Sequence, residues 1–176
     1  MKIEKVTIEN FKCFEGAFEF PLTEGINILV GNNEAGKSTI LEAIHLALTG
    51  LMDGRYFQFE LNEYLFNQVA VSKYVESLKT DNPLPPPQIT IEIQFSDGDI
   101  PDFKGSENLK KDRDATGFFF RVELDERLTK EYEKFIDQGE VNSLPIEYYT
   151  FYWMTLASDA LTPRTIPVIS ALIDSS

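Results

Sequence analysis

The chain has 176 residues, with 29 Asp and Glu against 16 Lys and Arg, a formal net charge of -13, one Cys and one His. A lone Cys13 excludes an internal disulfide, a thiolate zinc site or a CxxC redox pair, and a lone His45 excludes a His-rich metal cluster. The acidic excess argues against a freestanding phosphate-backbone binder, and no stretch resembles a signal peptide or approaches the roughly 18 apolar residues of a membrane span. The reading is a soluble, cytoplasmic domain in a reducing compartment.

In chain order, Ile3, Val6, Ile8 and Phe11 define a first strand whose apolar phase slips between Ile3 and Val6, as a bulge causes. Residues 17–20 alternate and end at Pro21, predicting a strand that returns antiparallel after a turn at Gly16. Gly25 opens Ile26-Asn27-Ile28-Leu29-Val30, a nearly continuous apolar run that predicts a strand covered on both faces. From Lys37 to Leu51 the spacing is helical, with Ile40, Leu41, Ala43, Ile44, Ala47, Leu48 and Leu51 on one wide arc that Leu46 extends. Only Glu42, His45 and Thr49 share a polar strip, which predicts burial over most of the helix circumference. Gly50 and Gly54 bracket its end.

Val71, Tyr74, Val75 and Leu78 space as a helix, and the proline-rich run 81–87 predicts a stiff connector. Ile89, Ile91, Ile93 and Phe95, then Phe118, Phe120, Val122 and Leu124, predict two half-solvated antiparallel strands joined by the polar loop 96–116. Leu128, Tyr132, Phe135 and Ile136 predict a short amphipathic helix, and residues 146–154 a further strand.

The segment Gly31-Asn32-Asn33-Glu34-Ala35-Gly36-Lys37-Ser38 fits G-x-x-x-x-G-K-[ST] in full, between a strand pattern and a helix pattern. Glycines let the backbone turn tightly and present N–H groups to phosphate oxygens. A helix N-terminus adds its dipole to the same anion. In this pattern Lys37 reaches the β- and γ-phosphates, Ser38 is the Mg²⁺ ligand and Thr39 lies beside the phosphates. The expected cofactors are a nucleoside triphosphate and Mg²⁺.

The opening residues through Asn10-Phe11-Lys12-Cys13-Phe14, together with Gly25 to Ile44, resemble the start of the RecF/SMC/Rad50-type ATPases, of the ABC ATPase class. Asn33 fits the G-x-N-x-x-G-K-S variant of that group, and the resemblance implies that the nucleotide is ATP and that Lys12 lies near it. Leu61 to Asn67, Ile146 to Tyr149 and Arg164 to Pro167 resemble the OLD-type ("overcoming lysogenization defect") ATP-dependent endonucleases, in which an ABC-like ATPase precedes a Toprim nuclease. The resemblance implies an α/β P-loop lobe with a mixed parallel and antiparallel sheet. It implies heads that dimerise around nucleotide, and DNA contacts in the full-length parent rather than in this acidic segment.

A signature motif, a Walker B Asp-Glu and a switch His are also implied, and none is recognised here. Val122-Glu123-Leu124-Asp125-Glu126 is interrupted by Arg121 and Glu123 on one face, which favours an antiparallel strand over Walker B. The expectation is therefore one truncated ATPase domain, with residues 1–54 its P-loop core and 55–176 an elaboration, that hydrolyses ATP very poorly by itself. The alternatives are an SMC- or RecF-like repair ATPase without a nuclease, a non-catalytic nucleotide-dependent assembly module, and a small kinase or GTPase, for which no NKxD reader is present. Asp97-Gly98-Asp99 with Asp102 lacks the EF-hand offsets. Lys104, Lys110, Lys111 and Arg113 are the one local basic concentration. The γ-phosphate-sensing glutamine implied by the family stays open among Gln58, Gln68, Gln88, Gln94 and Gln138.

Overall fold

The computed structural model describes residues 2–32, 35–96, 100–139 and 141–173. Its strands are β1 (Ile3–Glu9), β2 (Ala17–Pro21), β3 (Leu51–Met52), β4 (Arg55–Tyr56), β5 (Ile89–Phe95), β6 (Gly117–Leu124), β7 (Tyr149–Thr155) and β8 (Ala160–Leu161). Three helices, α1 (Lys37–Thr49), α2 (Gln68–Ser77) and α3 (Thr129–Gln138), accompany them. Six strands form one sheet in the order β2-β1-β5-β6-β7-β8, and β3 pairs with β4 in a separate ribbon. Because β1 lies between β2 and β5, residues before and after position 54 share a single core.

The register explains the apolar pattern. Val6 opposes Ile93 and Ile8 opposes Ile91. Ile91 then opposes Phe120, and Ile93 opposes Phe118. Val122 and Phe120 meet Phe151 and Trp153. These side chains make one continuous face that packs in the same cluster as Ile40, Ala43, Leu46 and Ala47 of α1. The expected slip in β1 is present as a register shift between Ile3 and Lys5. Full burial of side chains the size of Phe118 and Phe120 contributes about 1.5–3 kcal/mol each.

The opposite face departs from the half-solvated expectation. Thr90, Glu92 and Phe119 are buried there. The loop 100–116 lies across this face, with Leu109 N–H donating to Glu92 Oε2 at 2.8 Å. Ala115, Phe119 and Leu156 form a second small core. The Arg121 guanidinium stacks 4.4 Å from the Phe119 ring centroid. A polar alternation in β5 and β6 thus marks a polar interior layer rather than a solvated face. Burial pushes the Glu92 carboxyl above its ordinary range, against the hydrogen bonds from Leu109 and Gln94.

Two further expectations are corrected. The α/β lobe is as expected, but every strand pairing among the described residues is antiparallel, whereas the resemblance implies a mixed sheet. The difference lies in 26–30, which pairs with nothing and leaves Ile26, Ile28 and Val30 at 89%, 78% and 89% exposure. Among the described residues no strand runs beside it to complete a ladder. Its local order comes from Asn27, whose amide donates to Thr23 O at 2.8 Å and whose Oδ1 accepts from Thr23 N at 2.9 Å. Helix α1 is also covered on a narrower arc than predicted, since Leu41 is exposed and Ile44 half-buried.

Candidate functional site

The loop ahead of α1 is shaped by its glycines. Gly36 is the N-cap residue at φ 77° and ψ 11°, in the left-handed region. A Cβ there would lie 2.9 Å from both Cys13 Sγ and Phe14 Cζ. Glycine at this position therefore serves both the turn and the close approach of the segment after β1. Gly31 faces Ala35, whose Cβ would be 3.3 Å from a Cβ on Gly31, so the loop curls back on itself. Asn32 O accepts from Ala35 N at 3.2 Å. Asn33 and Glu34 lie outside the described residues.

Lys37 folds over this curl. Its Nζ donates to Gly31 O at 2.7 Å and to Asn32 O at 2.6 Å. The first intrahelical bond of α1 runs from Ile40 N to Gly36 O at 2.9 Å. Among the described residues no side chain caps the helix start, and no acidic residue sits in its first turn. The Lys37, Ser38 and Thr39 amides thus emerge at a positive dipole end that the chain leaves open to an anion. Ser38 is exposed and Thr39 half-buried.

Lys12 is brought to the same helix. Its ammonium pairs with Glu42, both side chains being about one-third exposed. Glu42 lies four residues beyond Ser38, so the Lys12 head rests one turn along the face that carries the Ser38 hydroxyl. The backbone at Lys12 is strained, with φ 48°. It is held by Lys12 N donating to Leu65 O at 2.8 Å and by Asn67 Nδ2 donating to Lys12 O at 2.9 Å. Asn67 also caps α2, its Oδ1 accepting from Val69 N and Ala70 N. On the other side, Asn10 Oδ1 accepts from Gly16 N at 2.9 Å and closes the β1–β2 turn.

Sequence reasoning did not single out Asn67, Leu65, Cys13 or Phe14 as parts of this site. The signal that was available for Asn67 is its place before an apolar periodic run, where an N-cap belongs.

The other candidates resolve into structural roles. β6 is antiparallel to both neighbours, and Asp125 takes the Arg127 guanidinium at 2.6 Å and the Arg127 N–H at 2.9 Å. That pairing holds the Asp125 carboxyl below its usual range. In the basic loop, Lys104 pairs with Asp114, Lys110 with Glu19 and Lys111 with Glu107. His45 Nδ1 lies 3.2 Å from Ser170 Oγ. The amides of Gln68, Gln88 and Gln94 donate within the protein. Among the described residues no three His, Cys, Asp or Glu converge on a metal-sized site, and no helix is long and apolar enough to cross a membrane. Asp97, Gly98 and Asp99 lie outside the described residues.

A glycine-built loop, a Lys folded over it and an open helix N-terminus on an α/β scaffold define the class as a P-loop nucleotide-binding lobe. The chain belongs to the AAA domain family, whose description matches residues 5–154. It is 56% identical over 46 residues to the DNA double-strand break repair Rad50 ATPase of Methanopyrus kandleri, a match covering 26% of this chain and 5% of that protein. It is 44% identical over 52 residues to the Retron Ec83 probable ATPase of Escherichia coli, covering 29% and 10%. With Structural maintenance of chromosomes protein 6 of Saccharomyces cerevisiae it shares 50% over 46 residues, covering 26% and 4%. The matched stretches thus span a tenth or less of these relatives. A solved structure described under "Structural biochemistry of ATP-driven dimerization and DNA stimulated activation of SMC ATPases" aligns with 92% of this chain and 73% of its own, at 19% identity and a TM-score of 0.47.

Proposed function

We propose that this chain is the Mg-ATP-binding lobe of a DNA-acting ATPase of the Rad50/SMC kind, in which bound nucleotide draws two heads together. The observation that carries the reading is the Lys37 ammonium held on the Gly31 and Asn32 carbonyls beside a helix start that no described side chain caps. In this reading the triphosphate takes the place of those carbonyls as the partner of Lys37. The amides from Asn33 to Thr39 cradle the phosphates, Ser38 holds Mg²⁺, and Lys12 adds a second cation near the nucleotide. The ion supplies charge neutralisation across the β- and γ-phosphates when bound. Glycine at 31 and 36 fits such a cradle, because a Cβ at 31 would crowd the curl at Ala35 and one at 36 would crowd Cys13 and Phe14 behind it.

As to the parent protein, we favour an OLD-type ATP-dependent endonuclease. The supporting residues are Leu61 to Asn67, Ile146 to Tyr149 and Arg164 to Pro167, of which Leu65 and Asn67 clamp the Lys12 backbone. The DNA contacts and the nuclease acids then belong to parts of the parent beyond these residues. An SMC- or RecF-like ATPase without a nuclease has comparable support from the relatives named above. Sedimentation with Mg-ATP and with Mg-ADP, alongside a phosphate-release assay, tests the lobe reading. Binding with very slow turnover supports it, and rapid turnover by this chain alone contradicts it.

A further inference from the structure

A second cleft lies at the far end of α1, apart from the P-loop. Helix α1 has 13 residues, which places the two sites about 20 Å apart. The cleft encloses about 410 Å³ between Tyr56, Gln58, Phe151, Trp153, Pro163 and Arg164. That volume lies in the range of small-molecule sites.

Its walls are fixed before any ligand arrives. The Trp153 indole N–H donates to Ala47 O at 2.9 Å, so the indole offers only its ring. Phe151 packs edge-on against Trp153 at 5.9 Å between centroids and against Phe57 at 5.0 Å. Gly50 forms the floor, where a Cβ would come within 3.0 Å of Pro163 Cγ. Thr162 and Thr165 close a reciprocal capping box around the turn that carries Pro163 and Arg164.

The lip is polar and cationic. In a chain of net charge -13, no carboxylate among the described residues lines this cleft. Arg164 makes no ion pair among the described residues, and Tyr56 stands 61% exposed. The Gln58 amide offers a donor and an acceptor side by side. Aromatic faces, one guanidinium and one amide suit a planar heteroaromatic ring that carries an anion.

We propose that this cleft binds a free nucleoside monophosphate, independently of the P-loop. The base stacks on Trp153 and Tyr56 with its edge at Gln58, and the phosphate meets Arg164.

Trp153 is the single tryptophan of the chain, so its fluorescence reports directly on the cleft. AMP, adenosine, ribose 5-phosphate and a 5′-phosphorylated oligoadenylate are titrated with excitation at the red edge, where tyrosine and nucleotide do not absorb. AMP is expected to quench Trp153 saturably, and adenosine and ribose 5-phosphate each to bind at least about tenfold more weakly, as loss of one charge-assisted or stacking contact implies. Arg164→Glu is expected to weaken AMP by about tenfold or more, and Lys37→Ala to leave the response unchanged. An absent or non-saturable response overturns the proposal. So does equal binding by Arg164→Glu with an unchanged circular dichroism spectrum, or loss of the response in Lys37→Ala. Binding of the oligonucleotide about tenfold tighter than AMP would assign the cleft to a strand instead of a free nucleotide.

Discussion

Replacing Gly36 with Ala perturbs the candidate site through two separable terms. The residue sits at φ 77°, a left-handed conformation that costs an L-residue about 1–2 kcal/mol. The added Cβ also meets Cys13 Sγ and Phe14 Cζ at 2.9 Å. Both atoms are side-chain ends on a surface segment, and Phe14 is stacked on Phe18 at 4.6 Å, so relief requires this pair to shift. That places the crowding cost near the lower bound for overpacking, about 1 kcal/mol. The whole effect is about 2–3 kcal/mol, or a fall of roughly 1 M in urea midpoint at the usual slope for a small domain. Urea unfolding followed by far-ultraviolet circular dichroism measures it. The cycle with Phe14→Ala then isolates the Phe14 share of the crowding, while the left-handed strain and the contact with Cys13 Sγ remain. A Gly36→Ala protein as stable as the parent, or an identical loss with and without Phe14, refutes the reasoning.

Asn67→Ala removes the α2 cap and the donor to Lys12 O, and should lower stability by about 2–4 kcal/mol in urea unfolding. Asn67→Ser keeps a capping hydroxyl and loses the donor to Lys12 O, so its loss should be smaller. Glu92 has a folded-state pKa raised by burial, so its contribution to stability grows as pH falls through that value and is lost as pH rises. Thermal melts of Glu92→Gln across pH 4 to 8 should therefore show a stability difference from the parent that changes with pH in that sense, and a constant difference contradicts it. Lys12→Met breaks a partly exposed ion pair and should change stability by no more than about 1 kcal/mol, while weakening Mg-ATP by about fivefold in calorimetric titration.

Wherever one face decides the pattern, the sequence was a good guide. The β1 bulge, the β1–β2 hairpin, α1 with its αL cap at Gly50, and the β5–β6 pair were all legible from apolar phase and glycine placement. What failed depends on distant chain. Thr90 and Glu92 read as solvent-facing because their polarity is local, but the cover over them comes from 100–116. Ile26 to Val30 reads as a buried strand from its continuous apolar run, but burial on both faces needs partners, and no described strand supplies them. The short β3–β4 ribbon and β8, at two residues each, are below the length at which periodicity carries a signal. In the candidate site, Gly31, Gly36, Lys37 and Ser38 follow from the motif alone. The clamp on Lys12 does not, because Leu65 and Asn67 reach it from more than fifty residues away.

In the proposed function the loop from Gly31 to Thr39 binds Mg-ATP through Lys37 and Ser38. Isothermal titration of the parent, Lys37→Ala and Ser38→Ala, each with Mg²⁺ and with EDTA, tests it most directly. Saturable binding by the unsubstituted chain is expected, with a loss of about tenfold to a hundredfold in Lys37→Ala under both conditions. Ser38→Ala should be impaired only when Mg²⁺ is present. Parent-like affinity in Lys37→Ala, or no heat of binding in the folded parent at any ATP concentration, would contradict it.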